Sequence, residues 1–136
     1  MNAKLKALVV DDDELSQDFL RYFLLKEFDV YTVGNVEAFY NIISKIDFDI
    51  VFMDIMLHDT KDGIQLVSEL RSNPKYTSVP ILILTTHDST LVKERSLRAG
   101  ADKFITKPVM VDQLTKIISA VLSQKRAHLA KPPNVI

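Results

Sequence analysis

Three consecutive aspartates, Asp11-Asp12-Asp13, follow an apolar run directly, and a fourth, Asp54, closes another, Ile50-Val51-Phe52-Met53. Two further apolar runs end in Thr85-Thr86 and in Thr106-Lys107. An ionised carboxylate at the end of a buried segment is costly unless it is paired, metal-bound or exposed, so Asp54 needs neighbours from elsewhere in the chain. Two like charges ~4 Å apart repel by ~4 kcal/mol at an effective dielectric near 20. A cluster of carboxylates therefore makes sense around a cation. Oxygen ligands without His or Cys point to Mg²⁺, which keeps several waters and commonly shares a phosphate. Beside Lys107 and the Thr85 hydroxyl, such a site is equipped to hold a phosphoryl group, with Asp54 as the nucleophile that forms an aspartyl phosphate. Lys107 and the ion would offset charge on the phosphoryl oxygens, and in-line positioning does most of the rest.

These residues must be brought together by the elements that carry them. Leu5 to Val10 reads as a strand, and Asp13 and Glu14 suit the first turn of a helix, where carboxylates complement exposed amides and the dipole. Leu15, Phe19, Tyr22, Phe23 and Lys26 recur at helical spacing and carry that helix to about Glu27. Residues 29–33 form a second, β-branched strand. Asn35 caps a helix with Val36, Phe39, Tyr40 and Ile43 on its inner face. The run ending at Asp54 is the third strand, and its continuous apolar character fits a parallel strand covered on both faces. Asp62 with Gln65 three positions on has the form of a capping box, opening a helix that carries Ile64, Leu66, Val67 and Leu70. Pro74 and Pro80 bracket a loop, residues 81–86 are a fourth strand, and Asp88 or Ser89 caps a helix that Gly100 closes. Residues 103–106 are a fifth strand, stopped by Lys107-Pro108. The last helix shows Leu114, Ile117, Ile118, Val121 and Leu122 in register and runs to about Arg126.

Five strand–helix alternations imply parallel strands with right-handed crossovers, hence a doubly wound five-stranded α/β sheet with helices on both faces. In such a sheet all the strand carboxyl ends lie along one edge, where ligands bind. Asp11, Asp12, Asp54, Thr85 and Lys107 are thereby placed on one surface.

With 136 residues the chain is the size of one ordinary domain: residues 1–126, followed by a tail or start of a linker at 127–136. A formal net charge of -1 gives no electrostatic footprint for direct nucleic-acid contact. The absence of Cys excludes disulfides and thiolate chemistry. No apolar run reaches spanning length and no signal peptide is visible, so a soluble cytoplasmic protein without membrane contact is expected.

Taken together, Val9-Val10-Asp11-Asp12-Asp13, Met53-Asp54-Ile55-Met56-Leu57, Asp62-Gly63, Thr85, Ala99-Gly100-Ala101 and Lys107-Pro108 make residues 4–125 resemble the receiver domain of two-component response regulators. The resemblance implies a flavodoxin-like strand order 2-1-3-4-5 and a phosphorylation-controlled signalling switch. It implies no metabolic enzyme, only a domain that would catalyse its own phosphoryl transfer and dephosphorylation. Asp54 would accept phosphate from a sensor histidine kinase or phosphotransfer protein, and a downstream protein partner or effector domain would read the result. Asp12 would bind Mg²⁺ directly and Asp11 largely through water, with Asp54 and the Met56 backbone carbonyl as further ligands. Thr85 would hydrogen-bond the phosphoryl group and Lys107 would pair with it. Phe104 matches an aromatic position that swings inward when Thr85 moves. Met56, Thr86 and His87 would stand at the mouth of the site, and Lys107-Pro108 is expected to be cis, an option open cheaply only before proline.

Two departures from the family pattern stand out. His58 replaces the usual Pro four residues after the acceptor, and Asp62-Gly63 comes one residue late. Lys103 stands where the subgroup that dimerises through its fourth and fifth helical faces commonly has an acid, which disfavours that dimer. Plainer readings apply to single residues: Asp13 as a helix cap, Phe104 as core, and His58 and His128 as solvated loop or tail residues. A Mg²⁺-dependent aspartyl-phosphate phosphatase would show a second Asp where Met56 stands. A dinucleotide module would need glycines after the first strand. An inert pseudo-receiver that only docks partners is disfavoured by the intact acidic set.

Overall fold

The computed structural model describes residues 4–130, the last six by backbone alone. Its strands are β1 (Leu5–Val10), β2 (Phe28–Val33), β3 (Ile50–Met53), β4 (Ile81–Thr85) and β5 (Lys103–Thr106). They alternate with α1 (Glu14–Leu24), α2 (Val36–Ile43), α3 (Gly63–Arg71), α4 (Thr90–Ala99) and α5 (Val111–Ala130). All strand pairs are parallel, in the order β2-β1-β3-β4-β5, as the alternation and the resemblance lead one to expect.

Side chains of β1, β3 and β4 alternate between two apolar layers. Leu8, Val10, Val51, Met53, Ile81 and Ile83 point toward α2, α3 and α4. Ala7, Val9, Ile50, Phe52, Leu82 and Leu84 point toward α1 and α5. Burial on both faces explains why these strands read as unbroken apolar runs. Since Val10 pairs with Met53, the residues that follow them, Asp11 and Asp54, leave the sheet side by side.

Caps set where each helix starts. Asp13, Asn35 and Ser89 accept backbone N–H groups of Ser16, Ala38 and Val92, so Ser89 and not Asp88 caps α4. Asp62 and Gln65 form the full reciprocal box. The bracketed loop contains a 3-10 turn, Pro74–Tyr76. Arg71, not singled out in the sequence, ties α3 to the far end of the sheet. It donates to the carbonyls of Gly100, Tyr76 and Val79 and to Asp102, and Asp102 accepts the Ile81 N–H. Gly100 has φ +121°, where a side chain is strained, and an added Cβ would meet Arg71 Cγ at 2.5 Å.

Several boundaries and faces differ from the sequence reading. Helix α1 ends at Leu24, three residues early, and β2 opens one residue earlier than expected. Thr86 lies just past β4. The stripe Leu15, Phe19 and Tyr22 is exposed while Leu20 and Leu24 enter the core; two apolar stripes on one helix cannot be ranked by periodicity alone. Tyr40, Leu91 and Leu97 likewise face outward. Helix α5 continues through Ala130, because nothing before Lys131-Pro132-Pro133 breaks it, so residues 127–130 are helical; the rest of the proposed tail, 131–136, lies outside the described residues. No described helix is long and apolar enough to cross a membrane.

Candidate functional site

Three of the side chains singled out in the sequence meet at the carboxyl ends of β1, β3 and β5. Lys107 Nζ donates to Asp11 Oδ2 at 2.7 Å and to Asp54 Oδ2 at 3.1 Å. Asp11 is 2% exposed and Asp54 9%, so neither carboxylate is rescued by bulk water. Backbone amides take the remaining oxygens: the Asp13 N–H donates to Asp11 Oδ1 and the Met56 N–H to Asp54 Oδ1. Lys107 is itself positioned by its own N–H, which donates to the Thr85 carbonyl at 2.8 Å; the Lys107–Pro108 bond that follows is cis.

Charge in this pocket is unbalanced. Burial opposes the charged form of Lys107, yet its bond to Asp11 and the negative charges of Asp54 and Asp11 hold the ammonium above its ordinary pKa. Burial pushes the Asp11 carboxyl up; Lys107 and the Asp13 amide pull it down without cancelling that, and Asp54 adds to the rise. One ammonium is well served by two carboxylates, but two buried carboxylates are not fully served by one ammonium. A raised carboxyl pKa means that stability falls as pH rises from the unfolded value through the folded one. At neutral pH Asp11 therefore weighs against the metal-free fold. Asp11→Asn is expected to raise the melting temperature of the protein in chelator at pH 7.5, and this advantage is expected to shrink as the pH is lowered toward 4.

The remaining predicted residues are placed as follows. Asp12 is exposed on the rim beside Asp11. Met56 is 43% exposed, and Thr86 and His87 are exposed beyond β4. Thr85 is fully buried at the end of β4, and its hydroxyl accepts the His87 N–H at 3.2 Å; among the described residues it makes no hydrogen bond to Asp54. Phe104 is half-buried against the layer that holds α3 and α4. Lys103 is exposed on the edge strand.

Two participants escaped the sequence reading. Ser16, one turn into α1, accepts a third hydrogen bond from Lys107 at 3.0 Å and donates to its own cap, Asp13. His58, expected to be solvated, places Nδ1 2.7 Å from Asp12 Oδ2 while 72% of its side chain stays exposed. Only the unusual replacement of Pro at that position marked it. Beside Lys107 and Pro108, Leu15, Phe19 and Val109 line an open apolar groove leading to the pocket.

As for a resident cation, an ion such as Mg²⁺ is bound through one or two carboxylates and keeps several waters. Among the described residues no three His, Cys, Asp or Glu side chains form a ready-made cage. The donor set is all oxygen, concentrated at Asp11, Asp12 and Asp54, and short of positive charge. Those residues fit a hydrated Mg²⁺ better than a caged transition metal.

The response regulator receiver domain model matches residues 7–119, and the chain belongs to that family. Among solved structures it is similar to the Vibrio cholerae chemotaxis protein CheY4, at 27% identity and a TM-score of 0.80, covering 88% of this chain and 99% of that one. A two-component response regulator from Clostridium difficile matches at 25% identity and TM-score 0.82, over 90% and 98% of the two chains. NtrX from Brucella abortus shares the fold at 24% identity and TM-score 0.83; the match covers 93% of this chain but 29% of that longer one.

Proposed function

We propose that Asp54 accepts a phosphoryl group from a sensor histidine kinase or phosphotransfer protein in a Mg²⁺-dependent reaction, and that the phosphorylated domain signals to a downstream protein partner or effector domain. The observation that carries this reading is the Lys107 ammonium shared between the buried carboxylates of Asp11 and Asp54. Asp11, Asp12, Asp54 and the Met56 carbonyl would hold Mg²⁺, which supplies Lewis-acid neutralisation of phosphoryl oxygens.

An Asp54 carboxylate oxygen attacks phosphorus as the bond to the donor's imidazole nitrogen breaks, and the imidazole departs with the bonding pair. Lys107 moves its attraction from the Asp54 carboxylate to the phosphoryl oxygens that replace it. The groove along Leu15 and Phe19 offers the donor protein an apolar approach. Phosphorylation adds about two negative charges at one point and must bias a two-state element to be read. Thr85, Phe104 and α4 are the proposed element: the Thr85 hydroxyl leaves His87 for the phosphoryl group and Phe104 fills the space behind it.

The test is incubation with a small phosphodonor, followed by intact mass. One phosphoryl adduct is expected with Mg²⁺ and none with chelator; an adduct that forms equally in both defeats the proposal. At the mouth, apolar Met56 limits water's access to the bound phosphoryl group. Met56→Asn is therefore expected to shorten the phosphate lifetime severalfold, followed by loss of adduct after donor removal; an unchanged lifetime contradicts that role.

A further inference from the structure

The segment carrying the extra residue, 58–62, is tied down on several sides. The Asp59 carboxylate accepts the Val36 N–H at the first turn of α2, at 2.9 Å. Lys61 donates to the Tyr40 hydroxyl at 2.6 Å and to Glu69 at 2.8 Å, spanning α2 and α3. Asp62 is engaged in the α3 capping box. Between these anchors and the acceptor strand stands His58, at φ +52°, a left-handed conformation that non-glycine residues adopt uncommonly. That turn, followed by the Asp59 anchor, carries the imidazole back across the rim, where Nδ1 lies 2.7 Å from Asp12 Oδ2. A ring on an exposed loop has many places to go. This one is held on a carboxylate of the cation pocket.

We infer that His58 holds Asp12 in competition with the divalent cation, so that loop 58–62 sets how tightly the pocket binds Mg²⁺. The inference rests on the functional reading above, in that it takes the pocket to be a Mg²⁺ site. A donor on Oδ2 occupies that oxygen and draws electron density from the carboxylate. Mg²⁺ needs near-ideal octahedral oxygen geometry and gives up its waters reluctantly. An ion taking Oδ2 must therefore displace the imidazole, and one taking Oδ1 meets a carboxylate whose rotation is already tethered. Exposed pairs of this kind are weak, so the effect is graded and does not close the site. By reciprocity, a bound ion loosens His58 and with it the loop that clasps α2 and α3. Cation occupancy is then felt at α2 and α3, which the loop joins.

Calorimetric titration of the unphosphorylated protein with MgCl₂ tests this without reference to phosphoryl transfer. His58→Gly removes the ring and suits the left-handed backbone; His58→Ala repeats the removal without added chain flexibility. Both are expected to bind Mg²⁺ about twofold to fivefold more tightly than wild type. Lys61→Met, which releases one anchor of the same loop but leaves the ring in place, is expected to gain less than either His58 variant. Unchanged or weaker binding in both His58 variants overturns the inference, as does an equal gain in Lys61→Met, while Mg²⁺ binding by wild type leaves the functional reading intact. If no variant and no wild type binds Mg²⁺, both fall together.

Discussion

Gly63→Ala is expected to destabilise the domain by about 2–4 kcal/mol. Helix propensity alone predicts the opposite sign, since Ala is better than Gly in a helix by up to about 1 kcal/mol. The reason for the reversal lies in what faces that Cα. A Cβ there would stand 2.1 Å from the Asp54 carbonyl oxygen, 2.8 Å from its carbon and 2.9 Å from Ile55 Cα. All three are backbone atoms, so no rotamer change relieves the contact. The Gly63 N–H also donates to the Ile55 carbonyl at 2.9 Å, which pins the start of α3 against the segment leaving β3. Either α3 backs away or Asp54 moves, and the second outcome damages the site as well as the fold. Urea unfolding of wild type and variant in parallel gives the sign directly; a stabilised Gly63→Ala protein would mean that α3 does not approach the segment leaving β3 this closely.

Lys107→Met is expected to slow phosphoryl incorporation from a small donor by about 100–1,000-fold, the scale of losing one preorganised donor to developing oxyanions. Its effect on stability depends on pH, with a sign that follows from the pocket's charge. Without the ammonium, the burial that already raises the Asp11 carboxyl acts with less opposition, so the carboxyl rises further. A raised carboxyl costs stability as pH climbs through its folded value. The loss in the variant is therefore expected to be about 3–5 kcal/mol at pH 8 in chelator, on the scale of breaking a buried ion pair. Near pH 5, where a proton can replace the missing ammonium, the loss is expected to be clearly smaller. Unfolding curves at the two pH values decide this; an equal loss at both would place Lys107 outside any charge balance with Asp11 and Asp54.

The strands and the acidic pocket were legible in the sequence because both leave local marks. Buried parallel strands are continuous apolar runs, and a polar residue at the end of such a run must face the one edge where a doubly wound sheet presents its loops. Asp11, Asp54 and Lys107 meet there as that argument requires. The caps at Asp13, Asn35 and Asp62 were equally visible, since each acts within three residues of itself. What stayed hidden depends on contacts between distant segments. Nothing in the α1 pattern says that Leu15 and Phe19 face solvent while Leu20 and Leu24 face α5, because both stripes have helical period. Arg71 looks like any basic residue in a last helical turn, yet it gathers three carbonyls and Asp102. Ser16 resembles a polar first-turn residue, and only the fold brings Lys107 to it. The Asp62-Gly63 pair was recognisable as a motif, but the need for glycine follows only from how closely α3 approaches Asp54.

The central claim is that one side chain, Asp54, carries the phosphoryl group. Reductive trapping reads this most directly: the Mg²⁺-treated, phosphodonor-treated protein is reduced with borohydride, which converts an aspartyl phosphate to homoserine, and the peptides are then sequenced by mass. Homoserine at position 54 and nowhere else is the expected result. Homoserine at Asp11 or Asp12, or its absence from a protein that has taken up phosphate, would contradict the assignment.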